Sequence, residues 1–118
     1  MTVAQAIKRS ALLYPVDIED GRVYSWLSEL EGRMLLELYG KSDFTPITSE
    51  DSERELLVCD AYAELYPLYL VMKTDLANGD SERYANSVSA FKAAYSAYAN
   101  FVNRTRSVSA EYNKIELI

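Results

Sequence analysis

Residues 81–104, SERYANSVSAFKAAYSAYANFVNR, decide how the rest of this sequence is read. Tyr84, Val88, Phe91, Tyr95, Tyr98 and Val102 recur in steps of four and three, which puts them on one stripe of an α-helix. Ala90, Ala94 and Ala97 widen or flank that stripe. Asn86, Ser89, Lys92, Ser96, Asn100 and Arg104 fall largely on other faces, so the segment is an amphipathic helix packed along one side. At about 1.5 Å per residue it spans roughly 36 Å, enough to cross a small domain. The shorter elements are expected to dock on it.

Working back from this helix, Asn78-Gly79-Asp80-Ser81 reads as the tight turn of an αα-hairpin, Gly79 ending one helix and Asp80 or Ser81 capping the next. The preceding helix is predicted from Ala61 to about Asn78 with Asp60 as its cap. Tyr62, Leu65, Tyr66, Tyr69, Leu70, Met72 or Lys73, and Leu76 give it apolar coverage broad enough to imply burial on more than one side. Pro67 removes a backbone hydrogen bond there, so it either kinks the helix or moves its effective start. Glu55–Val58 reads as a short extended lead-in. Lys41–Glu53 is the longest polar stretch and reads as a loop anchored by Phe44 and Ile47.

Further upstream, Val23, Trp26, Leu27, Leu30, Met34, Leu35 and Leu38 predict a helix over 18–39, with Asp17 as N-cap, Glu19 and Asp20 in its first turn, and Gly40 just past its end. Gly21 and Gly32 fall inside this pattern, each costing about 1 kcal/mol relative to alanine. Gly32 either lets another helix approach closely or is simply tolerated. Thr2 and Gln5 stand in capping-box spacing ahead of a first helix over 2–13, whose partial apolar face is Val3, Ile7 and Leu12 or Leu13. Tyr14-Pro15 ends it. Beyond Thr105 the period weakens into a polar segment with scattered apolar residues.

The expectation is therefore an all-α domain over 1–105, with four helices near 2–13, 18–39, 61–78 and 81–104, the last two forming an antiparallel hairpin. A short extended tail over 106–118 follows. Trp26, Leu30, Tyr66, Tyr69, Phe91, Tyr95 and Tyr98 are the predicted core. The candidate partner contacts are Phe44, Ile47, Tyr112, Ile115, Leu117 and Ile118.

Composition limits the chemistry. At 118 residues, 49% hydrophobic and 25% charged, the chain has the make-up of one globular domain. It contains no histidine and a single cysteine, Cys59, so imidazole bases, Ser-His and Cys-His nucleophiles, an internal disulfide and most zinc sites are excluded. Cys59 is expected to be a small buried hydrophobe. The net charge of −6 argues against nucleic acid as a free-standing partner. That charge is uneven: residues 1–80 carry seven basic and fifteen acidic side chains, and residues 81–118 carry five and three. Such a polarity suits head-to-tail packing of identical subunits, and solvated faces produce it equally well.

Glu50, Asp51, Glu53 and Glu55 lack the alternating ligands and turn glycine of a calcium loop, and read as a solvated acidic loop. Glu29, Glu37 and Glu64 can in principle act as acids or bases, yet spacing places no pair of them in an apolar cleft. The ten tyrosines fall mostly on the helical stripes, as core or subunit interface. There is no phosphate-cradling glycine loop, no nucleophile motif, no apolar run of membrane-spanning length and no basic-then-apolar leader pattern. Neither catalysis, a metal nor a cofactor is expected, and the chain is expected in the cytosol where it is made.

A resemblance adds to this reading. Asn86-Ser87, Phe91, the run Ala94 to Phe101, and Asn103-Arg104-Thr105 resemble small proteins of the structural modules of tailed phages and prophages, related to the head–tail connector (adaptor) family. The likeness extends to Thr2–Ile7, Trp26–Gly32, Glu55–Val58 and Tyr62, most of the chain in order, as a texture and not as a catalytic signature. It implies a non-enzymatic structural subunit of the virion, assembling as a homo-oligomeric ring between portal and tail for DNA passage, with portal and tail-completion proteins as partners. It also implies a C-terminal tail reaching toward those partners. The other reading is a small helical interaction or regulatory protein of a mobile element.

Overall fold

The computed structural model describes residues 1–14 and 21–116, with side chains placed for 1–14 and 21–106. The chain is all-α. Its four helices are α1 (Val3–Leu13), α2 (Arg22–Tyr39), α3 (Leu65–Ala77) and α4 (Ser81–Glu116), with one 3-10 turn at Asp60–Tyr62 and no strand among the described residues.

Helix α1 starts where its capping box places it: Gln5 N–H donates to Thr2 Oγ1 at 3.2 Å and Thr2 N–H donates to Gln5 Oε1 at 2.9 Å. Val3, Ala6, Ile7 and Ser10 form its buried stripe. Leu12 and Leu13, one or the other of which is predicted to complete that face, are instead 80% and 53% exposed. The stripe passes through Ser10, and Tyr14 turns the backbone extended before another turn of helix can bury a leucine. Pro15 lies outside the described residues.

Helix α2 begins later than expected. Gly21 is its N-cap, in left-handed backbone at φ 74°, so the helix does not start at residue 18 and Asp17 is not its cap. Asp17, Glu19 and Asp20 lie outside the described residues. At the other end Gly40 does terminate the helix, and Lys41 N–H closes onto Leu35 O at 3.0 Å.

The segment from Lys41 to Cys59 crosses α2 as a strap. Ser28 Oγ accepts the Ile47 N–H at 2.8 Å, and the Phe44 ring lies so close to Gly32 that a Cβ there would sit 3.3 Å from Phe44 Cδ1. Gly32 thus admits a loop side chain and not a second helix. The strap's extended end pairs with the N-terminal residues through Leu56 N–H to Met1 O at 2.9 Å, Val3 N–H to Arg54 O at 3.0 Å and an isolated antiparallel bridge between Thr2 and Glu55.

Pro67 sets the start of α3. The helix begins at Leu65, which leaves the proline in the first turn, where its missing N–H had no acceptor to lose. Residues 60–62 form the 3-10 turn instead, and Asp60 is not a helix cap: its carboxylate takes the Met1 amine at 2.9 Å. Helix α3 buries Leu65, Tyr66, Pro67, Tyr69, Leu70, Met72, Thr74 and Asp75, so it is the central element, and α1 and α2 pack principally on it.

Gly79, at φ 69°, closes α3, and Asp80 caps α4 by accepting the Arg83 N–H at 3.1 Å. Contacts then run in opposite chain directions, from Asp75–Ser87 through Tyr69–Phe91 to Tyr62–Tyr98 and Tyr62–Phe101. Only Tyr98 and Val102 of the α4 stripe are buried. Tyr84, Val88, Phe91 and Tyr95, like Trp26, are partly buried against the core, because α4 covers α3 from one side. Leu30, Tyr66, Tyr69 and Tyr98 are core residues as predicted, whereas Trp26, Phe91 and Tyr95 line its edge.

Two further expectations change. Cys59 is exposed, not buried. The backbone stays helical to Glu116, so residues 106–116 are not an extended tail; no glycine or proline interrupts 81–116. Residues 117–118 lie outside the described residues.

Candidate functional site

The carboxylates singled out from sequence lie at the surface. Glu64 pairs with Arg9 at 2.8 Å, Glu29 with Lys73 at 3.5 Å, and Glu37 accepts the Tyr95 hydroxyl at 3.1 Å. The two buried carboxylates among the described residues are others. Glu31, 4% exposed, projects from α2 beneath the strap; its Oε2 accepts the Leu57 N–H at 2.9 Å and its Oε1 accepts the Tyr66 hydroxyl in a short contact. The Tyr66 hydroxyl oxygen in turn accepts the Val58 N–H at 2.9 Å. One glutamate therefore ties α2, α3 and the strap together. Burial pushes its carboxyl above the usual range, opposed by the bonds from Tyr66 and Leu57 and by the Arg54 charge. The Tyr66 hydroxyl is held well above its ordinary range, first by burial and then by the Glu31 charge.

Asp75, 2% exposed, lies at the far end of α3. It accepts Arg83 Nε at 3.2 Å and Ser87 Oγ at 2.8 Å, and the Arg83 guanidinium lies 4.0 Å above the Tyr14 ring. This cluster fastens the end of α1 and the start of α4 to α3. Both oxygens of Glu31 and of Asp75 accept donors of the same chain, an arrangement that holds the fold together.

The acidic loop residues diverge. Asp51 turns back onto the Thr48 N–H at 2.8 Å and Glu55 faces the Met1 amine at 3.2 Å. Among the described residues no three His, Cys, Asp or Glu side chains converge as a metal site. No helix among them is long and apolar enough to cross a membrane.

What remains is surface. Of the predicted partner contacts, Ile47 is buried in the core and Phe44 is half-buried over Gly32, so the structure brings these two together on α2. The side chains of Tyr112 and Ile115, and Leu117 and Ile118 altogether, lie outside what is described. Among the described residues the exposed large hydrophobics are Leu12, Leu13, Leu36 and Leu76. Grooves flank α1: one of about 400 Å³ is lined by Val3, Ala4, Ile7, Ala11 and Tyr24, and another of about 380 Å³ by Leu13, Leu68, Val71 and Arg83. Sequence reasoning missed Leu12, Leu13 and Leu76 as surface because it assigned them to apolar faces. The available signal was the stripe Val3, Ala6, Ile7, Ser10, which already completes the buried face of α1.

Comparisons with protein-family models, with curated proteins and with solved structures find no match to this chain.

Proposed function

We propose that this chain is a structural subunit of a tailed-phage or prophage particle, a head–tail connector (adaptor) protein that assembles as a ring between portal and tail for DNA passage. The observation that carries the reading is the resemblance of the 86–105 segment, together with the matching textures at 2–7, 26–32 and 55–62, to that family. The fold adds two supports. Leu12, Leu13, Leu36 and Leu76 stand exposed on three helices, open to a neighbouring subunit. Glu31 and Asp75, buried carboxylates among the described residues, bond within the chain and tie its elements together, as suits a structural subunit.

Native mass spectrometry of the full chain, alone and mixed with the portal protein encoded beside it, tests the reading. A ring alone or on the portal is expected. A chain that stays monomeric or dimeric in both conditions, and that binds a regulator of the same element instead, overturns it in favour of a small helical interaction protein. Turnover of a small substrate traceable to one carboxylate also overturns it.

A further inference from the structure

The turn between α3 and α4 holds a pair of residues with chemistry of its own. Asn78, exposed at the end of α3, is followed by Gly79, and it is the one asparagine of the chain with glycine after it. We propose that Asn78 is a site of spontaneous deamidation, held in check by the turn that contains it, and that its conversion loosens the joint between the two helices.

The chemistry needs only water. The Gly79 backbone nitrogen, once it has lost its proton, attacks Asn78 Cγ; the new C–N bond closes a five-membered succinimide while the Cγ–N bond of the amide breaks and ammonia leaves with the proton. Water then opens either carbonyl of the ring, giving aspartate or isoaspartate. Glycine favours the attack because no side chain shields its nitrogen, and asparagine is among the thermolabile residues for this reason. Asn86, Asn100 and Asn103 are followed by Ser87, Phe101 and Arg104 within α4, where side chains and helical bonding protect them.

The folded turn opposes each requirement. Ring closure needs the Gly79 nitrogen nearly eclipsed with Asn78 Cβ about the Cα–C bond, whereas Asn78 sits at φ −82°, ψ −5°, far from that rotation. The attacking nitrogen is also engaged, its N–H donating to Leu76 O at 3.1 Å, while Asn78 N–H donates to Thr74 O at 2.9 Å and Asp80 N–H to Asp75 O at 3.1 Å. Reaction must await opening of these three bonds. Either product then places a carboxylate at the C-terminal end of α3, against the helix dipole and near Asp75 and Asp80. The isoaspartyl product adds a methylene to the main chain and cannot remake the three bonds in register.

The test is incubation of the full chain at mildly alkaline pH, native and in urea, followed by peptide mapping for aspartate and isoaspartate. Conversion at Asn78 is expected to outpace that at Asn86, Asn100 and Asn103 in urea, and to slow by about tenfold or more in the native protein, as exchange limited by local opening does. No conversion in urea, or equal rates native and unfolded, overturns the proposal. Aged protein carrying isoaspartate should unfold at lower urea than fresh protein, with Asn78→Asp as the charge-only control; an unchanged midpoint overturns the claim that the joint loosens.

Discussion

Glu31 is the residue on which the strap depends. Because burial raises its carboxyl above the ordinary 4.5, the folded chain binds this proton more tightly than the unfolded one. Glu31 therefore contributes a loss of stability as pH rises from that ordinary value through its raised folded value, and a constant amount above it. Glu31→Gln removes the buried charge and keeps one oxygen for the Leu57 N–H, while its NH2 faces the Tyr66 hydroxyl, which must then accept instead of donate. Urea unfolding across about pH 4 to 8 should show that component in the wild type and not in the variant. Tyr66→Phe should cost about 1–3 kcal/mol, since it strands the Val58 N–H in the interior. Glu31 escaped the sequence-based choice of Glu29, Glu37 and Glu64, although its signal was there: it shares helical spacing with the buried Leu27, Met34 and Leu38, where a polar residue asks for partners. Its partners were not legible, because Leu57 and Tyr66 lie 26 and 35 positions away. Asp75 gave less warning, its bonds to Arg83 and Ser87 crossing a turn whose geometry no periodicity encodes.

At the scale of elements, local chemistry was the reliable guide. The Thr2–Gln5 box, Gly40, Gly79 and Asp80 each act where the sequence placed them, because caps and left-handed glycines are decided within a few residues. Gly21 was read as helix interior since the apolar period alone does not separate an N-cap from the turn after it. Burial of the α4 stripe was overestimated for a different reason. A period fixes which face is apolar, while the extent of its cover depends on the length of its partner, and α3 has 13 residues against 36 in α4. Phe91, half-buried with its ring 5.0 Å from Tyr69, should therefore lose about 1.5–2.5 kcal/mol on replacement by alanine, below the roughly 3–5 of a fully buried phenylalanine. Chemical denaturation measures the difference directly.

For the whole molecule, the predictions concern assembly. Leu12→Ser with Leu13→Ser should change stability by no more than about 0.5 kcal/mol, both side chains being largely exposed, yet shift native mass spectra of any ring toward monomer. Removing 107–118 should leave the melting temperature nearly unchanged and abolish incorporation into particles, whereas a truncated chain that unfolds would mean this segment supports its own subunit. Of the contacts placed from sequence at Phe44, Ile47 and the C-terminal apolar residues, Ile47 is buried and Phe44 half-buried, since a surface is built from residues far apart in sequence. The same distance bears on how the molecule forms. Asp75–Ser87 joins residues 12 positions apart, whereas Tyr39–Tyr98 joins residues 59 apart and the Thr2–Glu55 bridge spans nearly as many. Closing a short loop costs less chain entropy than closing a long one, so α3 and α4 should zip together first and α1 should arrive last, after the strap is laid down. Thr2→Ala, which removes a cap worth about 1 kcal/mol, should then speed unfolding and leave the folding rate nearly untouched, while Phe91→Ala slows folding in stopped-flow measurements. The order of arrival leaves the first helix as the part of the molecule most easily lifted and reseated.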